Sequence, residues 1–316
     1  MTGIYIADPR IRAEQIEAIR QALPPGWALL DSPSGAAAIV TEGVDVTAEM
    51  LAAAGPGLRL IGRLDSGRAS VSATDVPVAD LSNTGSIGVA EHVVTLMLAL
   101  SRRLLWVARR TAAQQWVAGR DEPILTDQRR YTYNWIGLDG SGCLYRRKVG
   151  IVGFGQIGQA VAARLRPFGV QLFYTDLNRL PPTEEARLGA RWRDLDDLLR
   201  ESDFITLHHR FVEGPGGNDR QFNAREFALM KPTAYFINTS RGRMVDEDAL
   251  AEAVRTGRIA GAGIDVFRYE PFAADNPLAA LAGDNVILTA HTAGAPMVEA
   301  WQTTAHELIE RIQELL

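Results

Sequence analysis

Lys148-Val-Gly-Ile-Val-Gly-Phe-Gly-Gln-Ile-Gly158 is an apolar run of strand length that passes directly into three glycines spaced Gly-x-Gly-x-x-Gly, after which Val161 and Leu165 follow at helical spacing. Strand, tight turn and helix in that order form the phosphate-binding start of a dinucleotide-binding unit. The glycines have separate tasks: Gly153 permits the turn, Gly155 lets a pyrophosphate approach the backbone, and Gly158 lets helix pack closely on strand. The amides that open the helix, around Gln156 and Ile157, suit phosphate oxygens. Glycine spacing alone is a weak signal. It gains weight from Asp176, which follows the next apolar run (Val170 to Tyr174) and lies 18 residues beyond Gly158, near the spacing of an acid that accepts hydrogen bonds from the adenosine ribose. A carboxylate there repels the extra phosphate of NADP, so NAD is the expected cofactor. Arg179 and Arg210 are the nearby cations that would soften that preference.

Outward from this turn, candidate strands recur at Val149 to Val152, Val170 to Tyr174, Phe204 to Leu207, Ala234 to Ile237, Gly261 to Ile264 and Val286 to Leu288, with helical patterns between most of them. That alternation predicts a doubly wound parallel sheet of six or so strands. Upstream, shorter runs at Ile4 to Ala7, Trp27 to Leu30, Ala36 to Val40, Leu58 to Ile61 and Val76 to Ala79 predict a smaller α/β unit. From Gly88 to about Arg110 apolar residues recur every three or four positions and predict one long helix dividing the two units, buried against a neighbouring domain or subunit. The last segment places Trp301, Ala305, Leu308, Ile312 and Leu315 on one helical face, suited to packing back on the first unit. The expected domains are therefore residues 1–88 with 293–316, and residues 89–292. The stretch from Gln114 to Gly142 has no assignable period.

Composition excludes several classes. With 47% hydrophobic and 22% charged residues in 316, the chain is an ordinary globular protein of about two domains. A formal net charge of -5 provides no field for nucleic acid or an anionic membrane surface. Cys143 is the only cysteine, so neither an intrachain disulfide nor a multi-cysteine zinc site is available, and no metal is expected. The longest apolar stretch, Val93 to Leu100, is too short to span a bilayer. The start of the chain lacks a secretory pattern, so the expectation is a cytoplasmic enzyme with no membrane contact.

Three ionisable residues each follow an apolar strand: Arg241, Asp265 and His291. In an open parallel sheet ligands bind at the carboxyl ends of the strands, which directs all three to one crevice. At this point the chain resembles a known family, the D-isomer-specific 2-hydroxyacid dehydrogenases. The matching stretches are Gly153-Phe-Gly-Gln-Ile-Gly158, Met230-Lys-Pro, Ile237-Asn-Thr-Ser-Arg-Gly-Arg-Met-Val-Asp246, Gly263-Ile-Asp-Val-Phe267 with Glu270-Pro271, and Thr289-Ala-His-Thr-Ala-Gly294. The resemblance implies a smaller flavodoxin-like substrate domain beside the dinucleotide-binding domain. It also implies that Arg241 binds the substrate carboxylate, His291 exchanges a proton with the hydroxyl oxygen, and Glu270 orients His291. Asp265 would contact the nicotinamide carboxamide, Thr239 and Ser240 would line the cofactor through their backbone, and His291 and Gly294 would also belong to the cofactor site. The chemistry calls for such parts: a base poised near neutrality beside a carboxylate, and a guanidinium that can donate two parallel hydrogen bonds.

The sequence also departs from the family. Arg210 in His208-His-Arg-Phe replaces a usual proline near the adenosine end, and Arg63-Leu-Asp-Ser-Gly-Arg-Ala-Ser70 replaces a glycine-rich stretch. There the amides of Ser66 and Gly67 are expected to meet the substrate carboxylate, with Arg68 available to a second anionic or hydroxyl group. The expected substrate is thus a compact 2-oxo acid of the glyoxylate or hydroxypyruvate type. A phosphoglycerate dehydrogenase-like enzyme, formate dehydrogenase and a non-catalytic NAD-sensing protein of the corepressor type are the alternatives. His92, His208, His209 and His306 read as structural. The aromatic residues Tyr131, Tyr133 and Trp135, with the long helix, lead to the expectation of a homodimer.

Overall fold

In a computed structural model the apolar runs form two separate parallel sheets. The described residues are 2–7, 13–41, 43–63, 70–80, 84–283, 285–294 and 298–316. Chain proximity divides the protein into two units, Met1–Ser86 with Ala295–Leu316, and Ile87–Gly294.

The first unit contains strands β1 (Thr2–Ile6), β2 (Trp27–Leu30), β3 (Ala38–Thr41), β4 (Leu60–Arg63) and β5 (Val78–Asp80), with helices α1 (Ala13–Ala22) and α2 (Ala48–Ala54). Its strand order, β2-β1-β3-β4-β5, is the flavodoxin-like arrangement. One face buries Ile4, Ala38, Val40 and Leu60. The other buries Ile39 and Ile61 with Val46, Ala54 and Leu58.

In the second unit, helices α3 (Thr84–Ser101) and α4 (Leu104–Ala112) precede the alternating series. That series runs β6 (Lys148–Val152), α5 (Gln156–Leu165), β7 (Gln171–Thr175), α6 (Pro182–Leu188), β8 (Ala190–Trp192), α7 (Leu195–Glu201), β9 (Phe204–Leu207), α8 (Ala224–Leu229), β10 (Tyr235–Asn238), α9 (Glu247–Arg255), β11 (Gly261–Ile264) and β12 (Val286–Leu288). The seven strands are ordered β12-β11-β10-β9-β6-β7-β8, so the chain reverses direction across the sheet between β6 and β9. The last helix, α10 (Val298–Leu315), returns to the first unit, where Ala305, Leu308, Ile309 and Ile312 join the core beside Ala18 and Ile19 of α1.

Period-two alternation places the residues of the large sheet on opposite faces. Val149, Ile151, Leu172, Tyr174, Phe204, Ile237 and Ile287 face Val93, Leu96, Met97 and Leu100 of α3 and Val161 and Leu165 of α5. Phe173, Ile205, Leu207, Phe236 and Val286 face Leu198 and Leu199 of α7, Phe227 of α8 and Leu250 of α9. Each such buried side chain is worth about 1.5–3 kcal/mol relative to exposure. Both faces are covered, which is why these strands read as continuous apolar runs.

Two expectations need correction. The single long helix is two helices, because Arg103 adopts a left-handed backbone (φ 50) that ends α3, and its guanidinium then reaches the Asp139 carbonyl at 3.1 Å. The apolar face of α3 packs on the sheet of its own unit. Strand β8 has no counterpart among the predicted strands, because an edge strand of three residues is too short to show a period.

The turn after β6 separates glycines that packing requires from one it does not. Gly153 has φ +90, and a Cβ there would lie 2.3 Å from the His209 backbone nitrogen, whereas one at Gly155 would meet nothing within 4 Å. Gly153→Ala should therefore cost about 2–4 kcal/mol of unfolding free energy and Gly155→Ala less than about 1 kcal/mol. Urea denaturation checks the contrast, and equal losses would show that the turn relaxes to accept a side chain.

Candidate active site

Every functional candidate in the second unit stands at or just beyond the carboxyl edge of the large sheet. Gly153 follows β6, Asp176 follows β7, Arg241 follows β10, Asp265 follows β11 and His291 follows β12, while His208, read as structural, follows β9 at the same edge. Because all seven strands are parallel and β10, β11 and β12 are neighbours, Arg241, Asp265 and His291 leave the same edge of adjacent strands.

Around the glycine turn the loops after β6, β7 and β9 are tied together. The Gly153 amide donates to the Thr175 carbonyl at 2.9 Å, and the His208 amide donates to the Val152 carbonyl at 2.7 Å. The Phe154 amide donates to Asp176 Oδ2 at 2.6 Å. This bond aims the carboxylate across the mouth of the glycine turn while leaving it further acceptor capacity. A Cβ on Gly158 would lie 2.3 Å from the Gly153 carbonyl oxygen, so helix α5 closes on the turn as its spacing implies. Helix geometry leaves the first-turn amides of α5 without intrahelical acceptors. The Thr239 hydroxyl is buried without a protein partner. An open Gly155, a helix amino end, a poised carboxylate and an orphaned hydroxyl together fit a dinucleotide.

At the opposite end the pair expected from sequence is formed. His291 Nδ1 lies 2.7 Å from Glu270 Oε2, and Glu270 Oε1 accepts from the Phe267 amide at 2.9 Å. A carboxylate offers no hydrogen, so Nδ1 carries it and Nε2 is the ring nitrogen left to a substrate. Both side chains remain partly open to solvent, at 48% and 37%. His291 itself has φ 53, a left-handed conformation that a non-glycine residue keeps only where its surroundings enforce it. The enforcement is visible. The His291 amide donates to the Asp265 carbonyl at 2.8 Å, and the Asp265 carboxylate accepts from the Thr289 hydroxyl at 2.5 Å and from the Thr292 and Ala293 amides at 2.9 Å each.

Asp265 is thus fully buried, and both of its oxygens bracket the turn that presents His291. The family resemblance implies a contact of Asp265 with the nicotinamide carboxamide; these hydrogen bonds give it a structural task as well. His92, read as structural, sits on α3 with Nε2 3.1 Å from the Thr289 hydroxyl and 3.8 Å from Asp265 Oδ1. Asn238 was quoted in the motif without a role. Its side chain accepts from the Ser240 amide and hydroxyl and donates to the Arg241 carbonyl, each at 3.0 Å, which shapes the loop that exposes Arg241. Glu247 was not singled out at all. It accepts from the Arg268 amide at 2.7 Å and from the Asn276 side chain at 2.8 Å, bracing the loop that carries Glu270. Acidic residues in a first helical turn usually cap or face solvent, so no sequence signal distinguished it.

Ser66, Gly67 and Arg68 lie outside the described residues, as does Asp65. Among the described residues no cluster of three or more metal-ligating side chains occurs, and no helix is long and apolar enough to cross a membrane.

The family model described as "D-isomer specific 2-hydroxyacid dehydrogenase, NAD binding domain" matches residues 94–293. The chain belongs to the D-isomer-specific 2-hydroxyacid dehydrogenase family. Within it, the chain is 39% identical over 208 residues to glyoxylate/hydroxypyruvate reductase B of Escherichia fergusonii, a match covering 66% of this chain and 58% of that protein, little more than half its length. It is 33% identical over 299 residues to glyoxylate reductase of Thermococcus litoralis, covering 93% of this chain and 82% of that protein. Among solved structures, the PH0520 protein from Pyrococcus horikoshii superimposes with a TM-score of 0.70 at 26% identity, over 99% of this chain and 92% of that one. The second unit is accordingly the NAD-binding domain of this family, and its matched region holds the glycine turn, Asp176, Arg241, Asp265, Glu270 and His291.

The two histidines after β9 carry a pH signature. Burial pushes the His208 imidazole down to about 3, helped by His209 beside it, and its Nδ1 has no protein partner while Nε2 meets the Thr206 hydroxyl at 2.9 Å. The folded protein then refuses a proton that the unfolded chain accepts below its ordinary value near 6.5. Stability is complete above that value and falls as pH drops toward 3, by up to about 2 kcal/mol at pH 5. Urea titrations at pH 7 and pH 5 should show His208→Asn losing about 1–2 kcal/mol less than the parent over that interval. An identical acid loss in both proteins would rule out His208 as the group.

Proposed function

We propose that this chain is an NAD-dependent enzyme that interconverts a small D-2-hydroxy acid and its 2-oxo acid, with glyoxylate and hydroxypyruvate as favoured substrates. The observation that carries the reading is the 2.7 Å pair of His291 and Glu270 on the same sheet edge as a glycine turn fitted to a dinucleotide. Bound NADH supplies the hydride that reaches C2 of the oxo acid. His291 delivers a proton from Nε2 to the carbonyl oxygen, and Glu270 holds the hydrogen on Nδ1 so that the ring keeps one tautomer and one orientation. Arg241 takes the substrate carboxylate through its planar guanidinium and draws charge from the adjacent carbonyl. In the oxidation direction the same nitrogen removes the hydroxyl proton.

Three further parts of the reading rest on different supports. Asp176 and the turn amides favour NAD, with Thr239, Ser240 and Gly294 lining the cofactor. By the sequence reading alone, Ser66, Gly67 and Arg68 take part in binding the substrate. The names of the Thermococcus litoralis and Escherichia fergusonii relatives support a compact substrate.

The deciding experiment measures NADH and NADPH oxidation against glyoxylate, hydroxypyruvate, pyruvate, phenylpyruvate and longer 2-oxo acids; no turnover with any of them removes the enzyme reading. His291→Ala and Arg241→Ala should each lower kcat/KM by about 10²- to 10⁴-fold while NADH affinity, read by fluorescence, stays within about threefold. Glu270→Gln retains an acceptor for Nδ1 and should lose less than His291→Ala; equal losses would mean that the charge of Glu270, beyond its hydrogen bond, is indispensable.

We further propose that the protein is a homodimer. Residues 113–147 contain no helix or strand, yet expose Leu125 at 90%, Tyr131 at 66% and Tyr133 at 78%, while Asp127, Asn134 and Arg120 fix their loops by hydrogen bonds. An ordered segment that presents aromatic side chains suits the core of an interface. Light scattering at micromolar concentration should give twice the chain mass, and a monomer would reject the proposal.

A further inference from the structure

Arg179 is a cation three residues beyond Asp176 in the loop that follows β7. Guanidinium groups bind phosphates through paired charge-assisted hydrogen bonds, so a mobile arginine here would oppose the selectivity of Asp176. In this structure Arg179 is already committed. Its Nε donates to Glu185 Oε1 at 2.8 Å and its Nη2 donates to Oε2 at 3.1 Å, so both carboxylate oxygens are taken by one fork.

Glu185 is a prearranged partner. It is 13% exposed although Arg179 is 59% exposed, and the Tyr174 hydroxyl donates to its Oε1 at 3.0 Å. That hydroxyl in turn accepts from the Leu180 amide at 2.8 Å, which ties the segment carrying Arg179 to the same phenol. The ring of Tyr174 is fully buried and stacked on Phe154 of the glycine turn, with centroids 4.2 Å apart. Helix α6 supplies Glu185 from a rigid start, since Pro181 caps it, Pro182 opens it, and the Glu184 and Glu185 amides both donate to the Pro181 carbonyl. The guanidinium also lies over the Trp192 ring at 5.8 Å. Consistent with this, the Arg179 pair holds the Glu185 carboxyl below its usual range.

We propose that Glu185 is a specificity-determining residue: by holding Arg179 in a two-point pair anchored on Tyr174, it withholds that cation from a 2′-phosphate and so reinforces the preference for NAD. The proposal rests on the cofactor reading above and assigns part of the selectivity to a residue that acts through Arg179. Asp176 repels the phosphate directly, and Glu185 removes the nearby charge that would welcome it.

A double-mutant cycle on binding tests this, with NADH and NADPH titrated by fluorescence against the full-length parent, Glu185→Gln, Arg179→Ala and the double variant. Glu185→Gln keeps the side-chain size and an acceptor for Tyr174, and should tighten NADPH binding by about fivefold with NADH changed by less than about twofold. Arg179→Ala alone should change NADPH affinity by less than about twofold, because the parent does not use that cation. In the double variant the gain should vanish. The proposal is overturned if the gain survives without Arg179, which would transfer it to Arg210 or to loss of the Glu185 charge alone. It is equally overturned if Arg179→Ala weakens NADPH binding in the parent as much as in the Glu185→Gln background. Unfolding midpoints of the four proteins identify any variant that fails to fold, and Glu185→Asp, which retains the charge but shortens the reach, should then show the same release in weaker form. Failure of the parent to bind NADH would defeat the cofactor reading itself, an outcome separate from any pattern in the NADPH cycle.

Discussion

The turn after β6 approaches the backbone after β9 so closely that there is no space for a Cβ at Gly153, and the rest of the dinucleotide end follows from that contact. Three strand ends are brought together by backbone hydrogen bonds from Gly153 to Thr175 and from His208 to Val152. The Phe154 amide is thereby aimed at Asp176, and the Phe154 ring is set on Tyr174, whose hydroxyl organises Leu180 and Glu185. One steric requirement at a glycine thus governs where an acid, a phenol and an arginine stand. It does so at the reversal point of the sheet, where diverging crossovers leave a crevice.

The other end of the site is governed by a buried charge. Asp265 has no solvent exposure, so its carboxylate needs hydrogen-bond donors from the protein. Thr289, Thr292 and Ala293 provide them, and the segment between must then curl, which forces His291 into a left-handed conformation. Glu270 meets the ring from a loop braced at Phe267 by its own carboxylate and at Arg268 and Asn276 by Glu247. The His291–Glu270 pair is therefore held from two directions by acids that do not take part in it, a form of support that lets a solvent-accessible pair keep its geometry.

Much of this was legible in the sequence. The glycine spacing with a strand before it and a helix after it identified the turn, and the position of Asp176 followed from the same βαβ geometry. Alternation of apolar runs and helical patterns predicted the large sheet, since strands buried on both faces read as uninterrupted apolar stretches. The elements that escaped were those with weak or contradictory local signals. Strand β8 is an edge of three residues. The break at Arg103 involves neither glycine nor proline, and is accompanied by contacts of its guanidinium with the Asp139 carbonyl and the Trp106 ring.

The sequence by itself determined which residues have the chemistry: an imidazole, a guanidinium and carboxylates placed at strand ends, where a parallel sheet must gather them on one edge. Only the tertiary structure decided how those groups are partnered. Whether an aspartate repels a phosphate, or brackets a turn as Asp265 does, depends on which donors reach it from other loops. Whether an arginine is free to attract a phosphate depends on a carboxylate six residues on that a buried tyrosine holds in place. Periodicity and spacing are local along the chain and therefore readable from it. Pairing of charges is set by distances across the fold, and those exist only once the sheet, its helices and their turns have packed.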